Sequence, residues 1–393
     1  MNLLKYDIAK NNLALSKKIK KMLAQKIVNL THLDIDEAAY ASPFLYTYFN
    51  HTEEAKAVKI VPYFIGYKSK EIFNFIETTT NSEGVAYFAN IGYFLTDFKK
   101  TKILLSRHKE GNFRLTLRGR TDLEAFDFKT LLMIEGTNIE ILRYTNALVE
   151  IIAQSDSSNN VKKIKLKSPT KISSVSKDIK EALSVIKGIS LATYNQVIEN
   201  IRLIVLFNAS SGRNFSAIEY SGAIFLDPPK SFSQIWLIDS LIHESSHVNL
   251  NIALVDFEKY FSIDPYERVF ASPFRKKADK RGLYHIVHAL YVIANLAVFY
   301  DSFFQQSTNK DKNYPEILGR LLMNIKFLGE GIGEIDFKPF FTKKGLKLLN
   351  YFKDTHVHLS TKYKDLISSY SIPNDSDNHI FSLKQFKEVN ELA

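Results

Sequence analysis

The chain has 393 residues, of which 45% are hydrophobic and 24% charged. That is enough for a sizeable core and two or three domains, and it excludes a disordered or low-complexity protein. There is no cysteine, so disulfides and thiolate metal ligands are excluded and any metal site must use His and carboxylates. The formal charge is +10, with Lys clustered at Lys17, Lys18, Lys20 and Lys21 and again between Lys162 and Lys187. No nucleic-acid motif accompanies this charge, and the joint abundance of Lys, Asn, Ile, Phe and Tyr reads as compositional bias. The opening MNLLKYDIAKNN lacks the apolar run of a signal peptide, and no charge-free stretch of membrane-spanning length is expected. The sequence therefore predicts a cytoplasmic protein with neither membrane nor nucleic-acid partners.

Residues 10–30 predict an amphipathic helix, with Leu13, Ile19, Leu23 and Ile27 near helical spacing. Residues 36–50 are rich in Ala and aromatics and read as a buried helix or loop. Between 58 and 120 the texture turns strand-like, with short apolar runs (VPYFIGY, VAYFANIGYFL) and the alternating FRLTLRGR. A helix is expected over 139–153. The polar, Ser- and Lys-rich segment 154–177 reads as a linker or surface excursion, with a short strand at Ile164–Lys167. Helices are expected near 178–187 and 190–200, then strands at Ile201–Phe207 and Gly222–Leu226, the second ended by Asp227-Pro228-Pro229. Further helices are expected near 282–304, 314–328 and 343–353, and a short helix or frayed tail at the end. These elements predict a mainly helical α+β protein. An N-terminal α+β substrate-binding or capping region would cover 1–154, a linker 155–177, and a catalytic region 178–393.

The most specific feature is His243-Glu244-Ser245-Ser246-His247, an HExxH motif. No Pro or Gly occurs from Ser231 to Phe261, so the motif lies in a helical context. Ile238, Leu241, Ser245, Val248 and Ile252 form a mostly apolar face, and Trp236, Ser240, His243 and His247 form another. Two imidazoles four residues apart stand one turn above each other and can share one ion.

Two His leave a metal short of ligands, and a third protein group is expected. The helix from about Gly282 carries His285 and His288 among Leu283, Ile286, Val287, Leu290, Ile293, Ala294 and Ala297. It is apolar nearly all round, so His288 must be paired, either by a metal or by a backbone carbonyl. Glu258 and Glu267 are the alternatives, and a Glu would suit a zinc peptidase. His356 and His358 form a His-x-His pair expected on a surface loop.

The block from residue 205 to residue 304 resembles the HExxH peptide-modification family of ribosomal natural-product clusters, proteins similar to 2-oxoglutarate-dependent peptide β-hydroxylases. The resemblance rests on the motif helix, on Ser272-Pro273-Phe274-Arg275, on Arg281-Gly282-Leu283 and on His288-Ala289. The strand Ser221-Gly222-Ala223-Ile224-Phe225-Leu226 ahead of them also matches. Gly282 departs from the Pro usual in the family.

The resemblance implies an Fe(II)/2-oxoglutarate-dependent hydroxylase acting on a side-chain β-carbon of a precursor peptide. His243, His247 and His288 would be the metal ligands. Arg275, with Arg281 second, would hold the distal carboxylate of 2-oxoglutarate, which favours a bidentate guanidinium. Glu244 would be the general base in a zinc peptidase, whereas in a hydroxylase it would orient a ligand or substrate, or ligate the iron itself. The competing readings are a zinc metallopeptidase and a metal-free peptide-binding protein with a degenerate site. An exposed sheet edge, in the N-terminal region or at Gly222–Leu226, would suit strand addition by a peptide. The basic surface would suit an acidic one.

Overall fold

The computed structural model describes residues 4–27, 35–50, 56–67, 73–107, 113–117, 126–150, 165–208, 214–267, 270–271, 280–333, 336–373 and 381–392, without the side chains of 73–75. The fold is α+β and mainly helical, as the sequence predicts. It divides into two compact units. One comprises Ala9–Lys180 with Asn200–Phe232, the other Met1–Ile8, Glu181–Glu199 and Ser233–Ala393. The chain passes between them several times, so the units do not follow the contiguous division expected from the polar segment at 154–177.

The first unit contains most of helix α1 (Lys5–Lys26) and all of α2 (Pro43–Asn50). Strands β1 (Phe73–Thr79), β4 (Lys102–Arg107) and β5 (Phe113–Leu117) form one antiparallel sheet in the order β1-β4-β5. Strands β2 (Val85–Phe88), β3 (Gly92–Leu95) and β6 (Asp127–Thr130) form a second. The run VPYFIGY, expected as strand, is instead two 3-10 turns, Val61–Tyr63 and Ile65–Tyr67. Pro62 supplies no N–H to a ladder and is pre-set for the first positions of such a turn.

The third sheet joins distant segments. Strands β7 (Leu132–Met133) and β8 (Glu140–Ile141) lead to β10 (Leu203–Asn208) and β11 (Ala223–Leu226), in the order β11-β10-β8-β7. The short β9 (Lys165–Leu166) pairs with the end of β10. β10 is parallel to both β8 and β11. The helix expected over 139–153 is thus strand at its start, and the described helical residues begin at 147. The outer edge of β11 is occupied at Phe225, whose backbone exchanges two hydrogen bonds with Phe215 (3.0 and 2.9 Å) while the two rings stack at 4.4 Å. A peptide strand expected to add along Gly222–Leu226 meets residue 215 there.

Helix α3 (Pro169–Ile189) begins inside the segment expected as linker. Ser168 precedes it and accepts a bond from the Lys171 N–H, Pro169 takes its first position, and Ile172, Val175, Ile179, Ala182, Leu183 and Ile186 bury one face. Only the apolar spacing marks this helix, because the rest of its composition is polar. Helix α4 (Leu191–Asn200) follows.

The second unit is built on four long helices: α5 (Gln234–Ala253), α6 (Leu283–Gln306), α7 (Tyr314–Gly333) and α8 (Lys343–Lys362). α8 runs well beyond its expected end, so His356 and His358 lie on a helix rather than on a loop. The short helices α9 (Lys364–Ser369) and α10 (Leu383–Val389) complete the chain, and β12 (Phe270–Ala271) and β13 (Lys280–Arg281) pair ahead of α6. α6 corrects one expectation. Leu283–Tyr300 carries no Asp, Glu, Lys or Arg, and among the described residues α6 is the one helix long and apolar enough to cross a membrane. Its apolar window is 78% buried inside the protein, which makes it the core helix of this unit.

Candidate metal centre

The motif lies on α5, whose first turn is capped by Ser233: its hydroxyl accepts the Trp236 N–H at 2.9 Å. Nearly every side chain of α5 is buried. Trp236, Asp239, His243 and His247 form the partly accessible stripe. His288 is buried on α6, one turn beyond Tyr284.

The structure brings the three expected imidazoles together. His247 Nε2 lies 3.3 Å from His243 Nε2, and His247 Nδ1 lies 3.1 Å from His288 Nδ1. The rings of His247 and His288 stack at 5.4 Å. A tetrahedral ion with metal–nitrogen bonds of about 2.0–2.1 Å spaces its ligand nitrogens about 3.3 Å apart, so the His243–His247 pair has the spacing of one edge of such a site. His288 Nε2 is buried without a hydrogen-bond partner, which is costly unless something binds it. Burial, with help from the neighbouring imidazoles, holds His247 well below the ordinary histidine value and lowers His288 to about 3. Both rings are therefore neutral, the form that binds a metal.

The His243–His247 pair thus has the chemistry and the spacing of two donors to one divalent ion. The two contacts of His247 use opposite nitrogens, so the ring of His288 stands beside the pair rather than completing it. Among the described residues no three His, Asp or Glu side chains converge on one point in this arrangement. Glu258 and Glu267, the alternative third ligands, are exposed. His285 is exposed on α6, and Glu244 is buried on α5. Arg281 lies at the end of β13, directly before α6, and pairs with Phe270. Arg275 falls outside the described residues, as do Ser272, Pro273 and Phe274.

Gly282 has a steric cause. A Cβ at Gly282 would come within 2.5 Å of the Pro265 carbonyl oxygen and 2.8 Å of the Tyr266 carbonyl carbon. That segment is held on α6 by the Tyr284 N–H, which donates to Pro265 O at 2.8 Å, and by the Tyr266–Tyr284 ring stack at 4.7 Å.

Several residues that the sequence does not single out support the site. The Tyr284 ring packs 4.3 Å from His288, and its hydroxyl donates to Asn251 Oδ1 at 2.5 Å. Asn295 Nδ2 donates to Ser246 Oγ at 3.1 Å. Tyr300 donates to Asp239 at 2.8 Å, and Arg320 on α7 pairs with Asp239 (2.9 Å) and with Glu316 (3.1 Å), which also accepts from Ser233 (2.9 Å). The available signal is register: Asp239, Asn251 and Tyr284 each stand four residues from His243, His247 or His288, as polar groups on buried helices.

No family model matches this sequence, and no curated protein matches it.

Proposed function

We propose that this chain is an Fe(II)/2-oxoglutarate-dependent hydroxylase acting on a side-chain β-carbon of a ribosomally made precursor peptide. The observation that carries the metal reading is the juxtaposition of His243, His247 and His288, three imidazoles from two buried helices. Imidazole nitrogens suit a divalent iron, and a site with few protein donors keeps positions open for a co-substrate. The choice of iron and 2-oxoglutarate rests on the resemblance of residues 205–304 to the peptide β-hydroxylases. When bound, iron with 2-oxoglutarate and oxygen supplies the oxidising power to hydroxylate an unactivated carbon.

The protein's part is to bind and orient. His243 and His247 would hold the ion from one helical turn, and His288, against the opposite nitrogen of His247, would become a third donor only if the rings turned to share one point. Arg275, with Arg281 second, both between the two helices in sequence, would be the cation for the distal carboxylate of 2-oxoglutarate. A cytoplasmic setting accords with the cysteine-free composition.

A second reading, a zinc metallopeptidase, is favoured by Glu244, which follows His243 in the motif position of a general base and is buried on α5. One experiment separates the readings. The metal-free chain is reconstituted anaerobically with Fe(II) or Zn(II) and offered candidate peptides with and without 2-oxoglutarate. Gain of one oxygen on the peptide, dependent on iron and 2-oxoglutarate, is expected. Cleavage with zinc alone establishes the peptidase instead. Peptide binding without retention of any divalent metal leaves only a binding protein.

A further inference from the structure

α6 is apolar nearly all round, yet the side it turns to α5 carries four polar cross-links. Asn251 meets Tyr284 (2.5 Å), His247 meets His288 (3.1 Å), Ser246 meets Asn295 (3.1 Å) and Asp239 meets Tyr300 (2.8 Å). Descending along α5 they ascend along α6, so they form the rungs of one antiparallel seam. The side chains of Asn251, Tyr284, Ser246, Asn295, His288 and Tyr300 are all buried.

Buried polar pairs add little net stability over well-packed apolar ones. What they add is register. A slide of α6 by one turn moves every rung by about 5.4 Å and leaves four sets of buried polar groups unpaired at once, whereas an apolar seam repacks more cheaply. The same slide carries His288 away from His247. Tyr284 restrains the ligand a second way, because its ring lies against that of His288 at 4.3 Å.

We propose that Tyr284 and Asn295 are positioning residues for the imidazole cluster. Their bonds to Asn251 and Ser246 lock α6 in the register that keeps His288 against His247 before any ion binds. This rests on the reading of the three His as metal ligands.

The test titrates Co(II) into the full-length, metal-free chain and follows the visible absorption of the bound ion. The unaltered chain is expected to bind one equivalent, and His288→Ala to bind far more weakly. Tyr284→Phe and Asn295→Leu are each expected to weaken binding about 10- to 100-fold, the usual range for groups that orient a metal ligand. The pair Tyr284→Phe/Asn251→Leu removes both polar groups of one rung. It is expected to regain the thermal midpoint lost by Tyr284→Phe alone but not the affinity, which separates positioning from general destabilisation. If Asn295→Leu does not fold, Asn251→Ala carries the same expectation, since it leaves the Tyr284 ring in place. Affinity equal to the unaltered chain in the rung variants, or affinity that returns together with the midpoint, overturns the proposal and leaves the metal reading standing. No cobalt binding by the unaltered chain overturns both.

Discussion

Arg320→Leu probes the buried charge network that anchors the motif helix. Arg320 is 7% exposed and bridges Asp239 on α5 (18% exposed) and Glu316 on α7 (6% exposed). Burial alone would lower the guanidinium, but the two carboxylates and Tyr300 outweigh it and hold it firmly protonated. Removing the cation strands two carboxylates, and breaking a buried pair in this way costs about 3–5 kcal/mol. Asp239 keeps the Tyr300 hydroxyl and Glu316 keeps that of Ser233, so the loss is expected near the lower end, about 3 kcal/mol. Equilibrium urea unfolding followed by tryptophan fluorescence reads it: Trp236 lies on α5, three residues before Asp239. With slopes of about 1–3 kcal/mol per molar, the midpoint falls by about 1–3 M. Adding Asp239→Asn and Glu316→Gln removes the stranded charges and is expected to recover more than half of the loss. A loss below about 1 kcal/mol, the scale of an exposed ion pair, or no recovery in the triple variant, refutes the reasoning.

Glu140 is buried with its carboxyl bonded by Tyr87 (2.8 Å) and Tyr93 (2.5 Å), and burial raises it to about 7 from an ordinary 4.5. The folded chain therefore holds a proton that the unfolded chain has already lost. Its stabilising effect is full below about 4.5 and is lost as pH rises through about 7, about 3 kcal/mol in all. Glu140→Gln is expected to flatten the fall in urea midpoint over roughly pH 5 to 8, and an unchanged slope counts against this. Gly282→Ala places a methyl group against the Pro265 carbonyl and is expected to destabilise by about 1–3 kcal/mol, read as a lower thermal midpoint. Gly282→Pro meets the same contact, and full stability in both variants would show that the 265–266 segment yields freely. Phe225→Ala removes a buried ring stacked on Phe215 and is expected to cost about 3–5 kcal/mol. Amide exchange at Phe215 should rise with it, and persistent protection there would contradict its role in closing the sheet edge.

Local patterns were legible where a single turn of chain carries them. The HExxH spacing, the uninterrupted helix around it and the apolar character of α6 are all written within a few residues, because a helix repeats every 3.6 residues and needs no distant partner to show its faces. The run VPYFIGY and the residues at 139–146 differ from expectation for the complementary reason. Short apolar stretches look alike as strand, turn or helix until a neighbour supplies or withholds backbone bonds. Glu140 is strand because Leu203, more than sixty residues on, pairs with it.

The sequence by itself determined that His243 and His247 share a helical face, and that His288 lies on a helix too apolar to leave the core. Only the tertiary structure decided that His288 meets His247 rather than a backbone carbonyl, and that Glu258 and Glu267 stand in solvent. It also decided that Gly282 is needed beneath Pro265, and that Arg320 ties the motif helix to α7. Those outcomes depend on which segment packs against which and in what register, and that choice is made by residues well beyond a few helical turns apart, from Pro265 and Gly282 to Asp239 and Arg320, a distance over which no local periodicity extends.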